Sequence, residues 1–419
     1  MIDRVTATYR IATHLDLAEA AGVIAGEQSA GTFARVGFET DELRREHSAT
    51  VLSVEQTGVL ASNQGLPGGL EGTGTGPLKV GVVRISFPTQ NFGPSIPAVL
   101  TTVAGNLYEL QEVAGVKLLD IELPNAVIEQ YPGPKHGVEG TRRLIGNADQ
   151  AMIGTIIKPS IGLSSAHLSD MVAQLAAARV DFIKDDEINS DAPYFPLMKR
   201  IDVVLKTLED AQQRTGARVM YAFNITGDLD AMKRGAERIA QRGGSCAMVA
   251  IPSIGLPALT ELRRSTDLVI HGHRAGFGAL DRSPLLGYSF RVFQQLARLA
   301  GADHLHAGGV DSKFWESNDE VVANVRAMQG GGPEDMRMLP VLSSAQTAAT
   351  AEPTRALVDS DDLLVLAGGG IHAHPGGIAD GVSSLREAWR MVADGLSPTA
   401  EAIDGTPLAE ALRVFGARR

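Results

Sequence analysis

The chain contains a single cysteine, Cys246, among 419 residues. One thiol cannot form an intrachain disulfide, and this scarcity is typical of proteins from a reducing compartment. We interpret Cys246 as a buried, inert thiol. Long apolar runs are also missing. None reaches the roughly 18 residues of a membrane span, and the first residues lack the basic-then-apolar layout of a signal peptide. These absences predict a cytoplasmic protein without a membrane partner.

Positive charge is scarce, because 38 Lys and Arg against 49 Asp and Glu give a formal charge of -11. Without a basic surplus the chain cannot neutralise a phosphate backbone, so a nucleic-acid partner is excluded. A small phosphorylated substrate is not excluded, since it needs only a local site. The hydrophobic content of 44% is that of a globular protein. The length predicts two domains, or a barrel with a smaller domain.

The second half of the sequence alternates apolar, β-branched runs of strand length with segments of helical period. Because these runs are continuously apolar, they indicate parallel strands buried on both faces. Eight strand–helix units predict a closed (β/α)8 TIM barrel over residues 133–419, with an open doubly wound sheet as the alternative. The predicted strands are 152–159, 180–187, 218–226, 246–255, 268–274, 304–309, 338–344 and 363–370.

Residues 1–132 do not follow this alternation and predict a smaller α+β domain of ferredoxin-like type. The Pro/Gly-rich segment 131–140 marks the predicted boundary between the two domains. The predicted strands are 5–11, 31–36, 49–56 and 79–86, and the predicted helices are 15–25 and 96–108.

The most informative stretch is 181–187, where an apolar run ends in one lysine and three carboxylates. Barrel enzymes place their chemistry at the carboxyl ends of strands. Asp186 and Glu187 can hold a hard divalent cation through oxygen atoms, unless they are merely solvated loop acids. An ammonium has no lone pair to donate. Lys184 is therefore either a counter-ion to the acids or a residue converted into an anionic ligand.

The other predicted strand ends also carry polar groups. Arg274 suits bidentate capture of phosphate or carboxylate, and Gly368 and Gly369 allow backbone amides to approach an anion. Lys158 can shuttle a proton if it is partly desolvated near a metal. Individually these residues can also be salt-bridge partners, core histidines or turn glycines. Together they predict a metal-dependent barrel enzyme acting on a small phosphorylated substrate. The full set is Lys158, Lys184, Asp186, Glu187, Asn224, Ser253, His271, His273, Arg274, His306, Ser343, Ser344, Gly368, Gly369 and Gly370.

These segments resemble the large subunit of ribulose-1,5-bisphosphate carboxylase/oxygenase (RuBisCO). The matching stretches are 26–33, 102–107, 154–164, 181–187, 271–275, 304–308 and 368–370, and they cover nearly the whole chain in order. The resemblance implies that CO2 carbamylates Lys184, which then binds Mg2+ together with Asp186 and Glu187. It resolves the two interpretations of Lys184 in favour of a converted ligand.

The resemblance also implies roles for residues outside the metal set. Lys158 matches the lysine that enolises the sugar substrate, His273 a proton-shuttling histidine, and Lys313 a mobile-loop lysine that steadies a carboxylate. Two residues of the first domain would complete the site of a neighbouring subunit, which implies a homodimer, and no small subunit is expected. The implied groups are Arg274, His306 and Ser343 for one phosphate; Thr32, Gly368 and Gly369 for the other; and Glu27 and Asn106 from the neighbouring subunit.

Departures from the RuBisCO pattern decide the subclass. Ser160 replaces a second catalytic lysine, Ile156 a threonine, Phe277 a histidine and Ala345 a glycine of a phosphate site. Losing a catalytic lysine and reshaping a phosphate site predict that the protein does not fix CO2 productively on ribulose bisphosphate. The chain is similar to the RuBisCO-like proteins of form IV.

Among the form IV reactions, all of which are enolate chemistry, we favour that of a 3-oxo-isoapionate-4-phosphate transcarboxylase/hydrolase. The alternative is an enolase or isomerase of methionine salvage, acting on 2,3-diketo-5-methylthiopentyl-1-phosphate or 5-methylthioribulose-1-phosphate. Asn106 argues against the enolase, which typically has a basic lysine at that position. A non-catalytic scaffold is a third hypothesis, disfavoured by the complete ligand set.

Overall fold

The computed structural model describes residues 3–31, 36–68, 76–330 and 337–416. The chain forms two compact units, one of residues 1–131 with 276–299 and one of residues 132–275 with 300–419. A segment from the second half of the sequence thus belongs to the first unit. Within the described ranges, no helix is both long and apolar enough to traverse a membrane.

The strands and helices alternate along most of the chain. The strands are β1 (Arg4–Thr13), β2 (Thr50–Leu60), β3 (Leu78–Pro88), β4 (Gly115–Glu122), β5 (Met152–Ile156), β6 (Phe182–Lys184), β7 (Met220–Asn224), β8 (Cys246–Ala250), β9 (Val269–His273), β10 (Leu286–Tyr288), β11 (His304–Gly308), β12 (Leu339–Leu342) and β13 (Leu364–Leu366). The helices are α1 (Leu17–Glu27), α2 (Asp41–His47), α3 (Ile96–Val103), α4 (Asn125–Ile128), α5 (Gly137–Ile145), α6 (Ser165–Ala177), α7 (Leu197–Thr215), α8 (Leu229–Gln241), α9 (Ile251–Ser265), α10 (Gly278–Asp281), α11 (Phe290–Ala300), α12 (Asn318–Gln329), α13 (Ala351–Val358), α14 (Gly369–His372), α15 (Ile378–Ala393), α16 (Pro398–Glu401) and α17 (Pro407–Phe415).

The first unit is built on one sheet with the strand order β10-β4-β1-β3-β2. β1 pairs antiparallel with both β3 and β4, and β10 extends the sheet in parallel beside β4. The chain order β1-α1-β2-β3-α3-β4 is the ferredoxin-like arrangement, which confirms the predicted α+β class. Alternate residues of β1 are buried, because successive side chains of a strand point to opposite faces of the sheet.

Several sequence predictions for this unit need correction. The interior strand β4 and the short helix α2 were not predicted, and the helix predicted over 96–108 ends at Val103. A 3-10 turn at Asn106–Glu109 follows that helix after Gly105, whose backbone is non-helical. The strand predicted over 31–36 falls largely on residues 32–35, outside the described residues.

The second unit is a closed barrel of parallel strands in the order β11-β12-β13-β5-β6-β7-β8-β9. Neighbouring strands pair in parallel all the way round, with one register shift between β11 and β12 at His306/Gly308, and β13 closes onto β5 through Leu364↔Met152. The predicted barrel is confirmed and the open doubly wound sheet is wrong. Because closure pairs every strand on both edges, the strand ends form a ring on which side chains distant in sequence meet.

The barrel core is sealed at the amino-terminal ends of its strands by α5. Val138 and Ile145 of this helix belong to one buried apolar cluster with residues such as Met152, Phe182 and Cys246 near the starts of the strands. Burial raises the pKa of the Cys246 thiol well above its ordinary value, in line with the inert role expected of it. The polar strand ends at the opposite mouth are left for chemistry.

All eight barrel strands are shorter than predicted, and for two of them the difference changes the place of predicted site residues. β8 ends at Ala250, and Ser253 lies inside α9, so its prediction as a strand-end residue is wrong. Pro252 favours a helix start because proline lacks only an N–H that the first helical turn leaves unpaired. β13 ends at Leu366, and Gly369 begins α14. The predicted strand-end glycines therefore form the entry to a helical turn.

Candidate active site

Lys184 ends β6 in an almost fully buried position, with 1% of its surface exposed. Its Nζ donates to the Asp185 carbonyl at 2.8 Å and to Met248 Sδ at 3.4 Å, and it lies 3.6 Å from Glu187 Oε2. Burial lowers the pKa of Lys184, against the opposing attraction of the neighbouring carboxylates. A neutral amine is the nucleophilic form, so burial favours the species that can attack CO2.

Asp185 has a structural role and is unavailable to a ligand. Tyr221 donates its hydroxyl to Asp185 Oδ1 at 2.6 Å, and Arg200 and the Asn224 amide donate to Oδ2 at 3.1 and 2.9 Å. The Asn224 side chain also donates to the carbonyls of Asp186 and Glu187, at 3.1 and 2.9 Å. These bonds fix the turn after β6 and leave the side chains of Asp186 and Glu187 for chemistry.

Asp186 is held by two residues that follow β5. Lys158 Nζ and Ser160 Oγ both donate to Asp186 Oδ2 at 2.7 Å, and Lys158 also donates to Ser160 Oγ at 2.9 Å. Burial by itself raises the pKa of Asp186, but the bonds from Lys158 and Ser160 outweigh it and lower this pKa to about 2. The carboxylate is therefore ionised at neutral pH. Lys158 remains partly exposed, with 41% of its side chain accessible.

His273 lies at the end of β9, with its Nε2 3.5 Å from Glu187 Oε2. Burial and then the nearby Lys184 charge lower the pKa of His273 well below its ordinary value. The imidazole is therefore neutral at pH 7 and has one nitrogen that can accept a proton. β5, β6 and β9 thus bring Lys158, Asp186, Glu187 and His273 to one end of the barrel.

The donor set suits a divalent cation only if Lys184 contributes an anion. Among the residues described, no three His, Cys, Asp or Glu side chains are grouped as a metal site. Asp186 and Glu187 supply two carboxylates, and the buried Lys184 amine, whose pKa is lowered, lies 3.6 Å from Glu187 Oε2. A carbamate on this amine would supply the third oxygen ligand, and oxygen is what Mg2+ prefers.

A second cluster of polar side chains lies at the carboxyl ends of β9, β11 and β12. His306 Nδ1 lies 2.9 Å from Ser343 Oγ, and the Arg274 guanidinium pairs with Glu316. Arg274 and Glu316 are largely buried, with 14% and 7% of their side chains exposed. The predicted phosphate residues are thus arranged on neighbouring strands. Glu316 was not predicted, because nothing in the loop sequence shows that this acid folds back onto Arg274.

The glycines after β13 lie beside Lys158, since a Cβ on Gly368 would stand 3.6 Å from Lys158 Cε. Gly368, Gly369 and Gly370 line a cavity of about 210 Å3 together with Ala345, Gln346 and Thr347. Ser344 and Ala345 adopt left-handed backbone conformations with φ of 73° and 55°. Glycine is the residue that takes this conformation without cost, and in the matched pattern Ala345 replaces a glycine. Thr32, predicted for the same phosphate, lies outside the described residues.

Three predicted residues are not part of these clusters. Lys313 is exposed in the loop after β11, with its Nζ 5.7 Å from the centre of the Phe314 ring. Glu27 ends α1 and Asn106 begins the 3-10 turn that contacts α1, and both are exposed on the first unit.

Two family models match consecutive parts of the chain. That of the ribulose bisphosphate carboxylase large chain, N-terminal domain, matches residues 3–127, and that of the catalytic domain of the same chain matches residues 137–331 and 333–415.

Individual relatives match over almost their whole length. A 3-oxo-isoapionate-4-phosphate transcarboxylase/hydrolase from Xanthobacter autotrophicus is 45% identical over 416 residues, which are 98% of this chain and 99% of that protein. A 3-oxo-isoapionate-4-phosphate decarboxylase from Rhizobium rhizogenes is 37% identical over 415 residues, 98% of each chain. The crystal structure of a rubisco-like protein from Burkholderia fungorum, 42% identical, has a TM-score of 0.91 and covers 98% of this chain and 99% of that one.

Proposed function

The chain belongs to the ribulose bisphosphate carboxylase large-chain family, in its RuBisCO-like branch, and from this membership we propose that it is a 3-oxo-isoapionate-4-phosphate transcarboxylase/hydrolase or acts on a closely related 3-oxo acid phosphate. The observation that carries the proposal concerns Ser160, which stands at the position of the second lysine of carboxylases. Its hydroxyl donates a hydrogen bond to Asp186. Relatives that are 45% and 37% identical and named for this substrate support it.

The chemistry of a 3-oxo acid explains why such a site suits it. The bond to the carboxyl group breaks when its electron pair moves into the neighbouring ketone, which becomes an enolate. The carboxyl carbon leaves as CO2, and the enolate carbon then takes up a proton. Transcarboxylation differs in that an enolate carbon captures the CO2 to form a new 3-oxo acid, which water then cleaves. The site must therefore stabilise negative charge on one oxygen, hold the carboxyl and phosphate groups, and deliver one proton.

We assign the metal to Lys184 as its carbamate, Asp186 and Glu187, with Mg2+ as the ion. Mg2+ bound there would polarise the ketone and stabilise the enolate oxygen. Support comes from the burial of Lys184, its lowered pKa and the two carboxylate side chains, of Asp186 and Glu187, that follow it in the chain.

Lys158 is the proposed proton donor and base. Its Nζ is partly exposed to the mouth of the barrel and is bonded to Ser160 and Asp186, which hold it in one orientation. After the carboxyl group leaves, Lys158 gives a proton to the enolate carbon and is reprotonated from solvent. His273, neutral because it is buried, is the second candidate for this proton transfer.

The remaining residues bind the ends of the substrate. Arg274, with the pair His306 and Ser343 beside it, is proposed to bind the phosphate, and Gly368 and Gly369 are proposed to bind the opposite end of the substrate. Lys313 is proposed to neutralise the departing carboxyl group, because its exposed ammonium lies in a loop that follows the same strand as His306.

We further propose that the enzyme is a homodimer in which Glu27 and Asn106 complete the partner's site. Both residues are exposed on the first unit. Mixing two inactive variants, Lys184→Met and Glu27→Ala, tests this arrangement. Shared sites predict that exchanged dimers regain part of the activity, whereas sites within one chain predict that the mixture stays inactive.

The function is tested by incubating purified protein with Mg2+, bicarbonate and each candidate phosphate ester in D2O, followed by proton NMR. We expect net conversion of 3-oxo-isoapionate 4-phosphate and none of ribulose bisphosphate. Net conversion of a methylthioribulose or diketo-methylthiopentyl phosphate in its place would establish the alternative of a methionine-salvage enzyme. Deuterium exchange without net conversion would identify a compound that is enolised but is not the substrate.

A further inference from the structure

An unbroken line of hydrogen bonds runs through the barrel interior from α5 to the phosphate end of the site. Thr141 Oγ lies 2.7 Å from His304 Nε2, and His304 Nδ1 lies 3.2 Å from His271 Nδ1. His271 Nε2 lies 2.9 Å from His306 Nε2, and His306 Nδ1 lies 2.9 Å from Ser343 Oγ. Every ring nitrogen of the three histidines therefore has a partner within this line.

All three imidazoles are neutral. His271 and His304 are 0% exposed and His306 is 4% exposed. Burial lowers the pKa of each ring, that of His304 to about 4 and the other two well below the ordinary value. A neutral imidazole has one N–H and one acceptor nitrogen. Because each N···N contact needs one hydrogen, the tautomer of any one ring fixes the tautomers of the others.

The direction of the line is set at its Thr141 end. Thr141 Oγ is 2.6 Å from the Gly137 carbonyl, which has no hydrogen to give, so the threonine hydroxyl donates there. Its only hydrogen is thus committed, and Thr141 accepts from His304 Nε2–H. His271 must then donate from Nδ1 and His306 from Nε2. At the far end Ser343 donates its hydroxyl to His306 Nδ1.

Thr141 is itself held in place by a neighbouring buried carboxylate. Asp303 Oδ1 accepts from the backbone amides of Lys135, His136 and Gly137, at 2.8, 2.6 and 3.1 Å, at the start of α5. Asp303 Oδ2 accepts from Arg263 at 2.9 Å. The fixed helix start defines where the threonine hydroxyl meets the first histidine.

We propose that Thr141 is a positioning residue that acts through His304 and His271 on the phosphate end: it holds His306 in the Nε2–H tautomer and turns the Ser343 hydroxyl toward His306 and away from the ligand. To reverse the direction of all these hydrogen bonds, one proton must enter at Ser343 and one must leave at Thr141. Thr141 is fully buried, so no solvent is present there to take the proton. The arrangement is therefore locked in the folded barrel. In this arrangement Ser343 presents lone pairs to a ligand, so Arg274 supplies the donors that a phosphate needs.

The tautomers can be read without any substrate, so this test is independent of the proposed function. Selective 15N labelling of histidine, with the His306 signals assigned through His306→Gln, distinguishes an N–H at Nε2 from one at Nδ1. We expect Nε2–H in the wild type. An N–H at Nδ1 of His306 would overturn the proposal, and this measurement requires no variant at Thr141.

Thr141→Val tests the control exerted by the threonine, and Thr141→Ser, which keeps the hydroxyl, is its matched control. Valine cannot accept a hydrogen bond from His304 Nε2–H. Because a buried N–H without an acceptor costs more free energy than an unprotonated nitrogen without a donor, His304 should lose the hydrogen from Nε2 and carry it on Nδ1. This change reverses the direction of every hydrogen bond in the line. We expect His306 to become Nδ1–H in Thr141→Val and to stay Nε2–H in Thr141→Ser. An unchanged His306 tautomer in a folded valine variant would contradict the proposal.

A second readout rests on the proposed phosphate site. The reversed line directs the Ser343 hydroxyl at the ligand, so Thr141→Val should bind inorganic phosphate roughly fivefold more tightly, the weight of one hydrogen bond. If the His306 tautomer changes but the phosphate affinity does not, Thr141 does control the tautomers, and the proposed position of the phosphate beside Ser343 is wrong. Weaker binding in Thr141→Val with an unchanged tautomer would indicate a purely structural role.

Discussion

Ser160 Oγ donates to Asp186 Oδ2 at 2.7 Å, so the hydroxyl that replaces a carboxylase lysine contacts a proposed metal ligand directly. Lys158 Nζ donates to the same oxygen at the same distance. The replacement removes one ammonium from the site while preserving a hydrogen bond to Asp186. Of the two lysines that carboxylases carry at these two positions, only Lys158 is kept here to exchange a proton with the substrate.

Removing the Ser160 hydroxyl should impair the site modestly. Ser160→Ala deletes one of the two donors to Asp186 Oδ2, and a single hydrogen bond of about 1 kcal/mol corresponds to roughly a fivefold loss of kcat/KM. Ser160→Thr keeps the hydroxyl and should retain most of the activity. Steady-state rates over a range of Mg2+ concentrations make the comparison. Equal kinetics for the alanine and wild-type enzymes would show that the bond has no part in the reaction.

Changing Lys184 should abolish activity while leaving the fold intact. Lys184→Met fits the buried, apolar contact with Met248 but cannot form a carbamate. Lys184→Arg retains a positive charge, so it separates a counter-ion role, which arginine can fill, from carbamylation, which it cannot. We expect the wild type to give a 13C NMR carbamate signal with labelled CO2, and we expect both variants to lose this signal together with Mg2+-dependent turnover. Full turnover in the arginine variant would instead make Lys184 a counter-ion.

Lys158 should control proton exchange with solvent. Lys158→Met removes the proposed base and should stop deuterium incorporation into the substrate in D2O. Substrate binding should fall less, because Arg274 and the glycines after β13 remain. Proton NMR of substrate and product gives the exchange rate. Continued exchange at the wild-type rate would transfer the role to His273, which a Lys158/His273 double variant would then confirm.

Glu316 should compete with phosphate for Arg274. Because both side chains are largely buried, Glu316→Gln leaves the guanidinium charge without its carboxylate, which destabilises the protein. Bound phosphate restores a negative charge, so phosphate should raise the melting temperature of Glu316→Gln more than that of the wild type. Glu320→Gln, in the first turn of α12, serves as a nearby control. Equal phosphate shifts in all three proteins would place the phosphate elsewhere.

Stability should decline as the pH falls from about 6.5 toward 4. His304 has its pKa lowered to about 4 by burial, whereas the unfolded chain binds the proton near the ordinary value of 6.5. The contribution of this residue to stability is therefore complete above pH 6.5 and is lost as the pH falls through the window, by about 1.4 kcal/mol per pH unit. His271 and His306 act in the same direction.

Urea unfolding at pH 7, 6 and 5, followed by the fluorescence of the buried Trp389, measures this slope. His304→Gln has no titrating group and should have a slope shallower by about 1.4 kcal/mol per pH unit. Identical slopes for the variant and the wild type would mean that His304 is not held neutral by the fold.

The sequence predicts the barrel well because its signals are local. Apolar runs followed by helical periods identify the parallel strands, and an abrupt polar end shows where each strand reaches the rim. The same signals fail where a strand changes directly into a helix. The apolar run predicts Ser253 as a strand end, yet proline at the start of α9 begins the helix before that residue. The sequence pattern also does not predict β4, although this strand lies inside the first sheet, between β10 and β1.

For the site, the sequence by itself determined the candidate residues and the position of one lysine among three acids. Residues that are adjacent in the chain are close in space whatever the fold. Only the tertiary structure decided what each group does. In the folded protein Arg200 and Tyr221 donate hydrogen bonds to Asp185, and Glu316 pairs with Arg274. Three histidines connect Thr141 to Ser343 by hydrogen bonds. These partners are distant in sequence, and they meet because closing the barrel brings separate strands and one sealing helix into hydrogen-bonding distance.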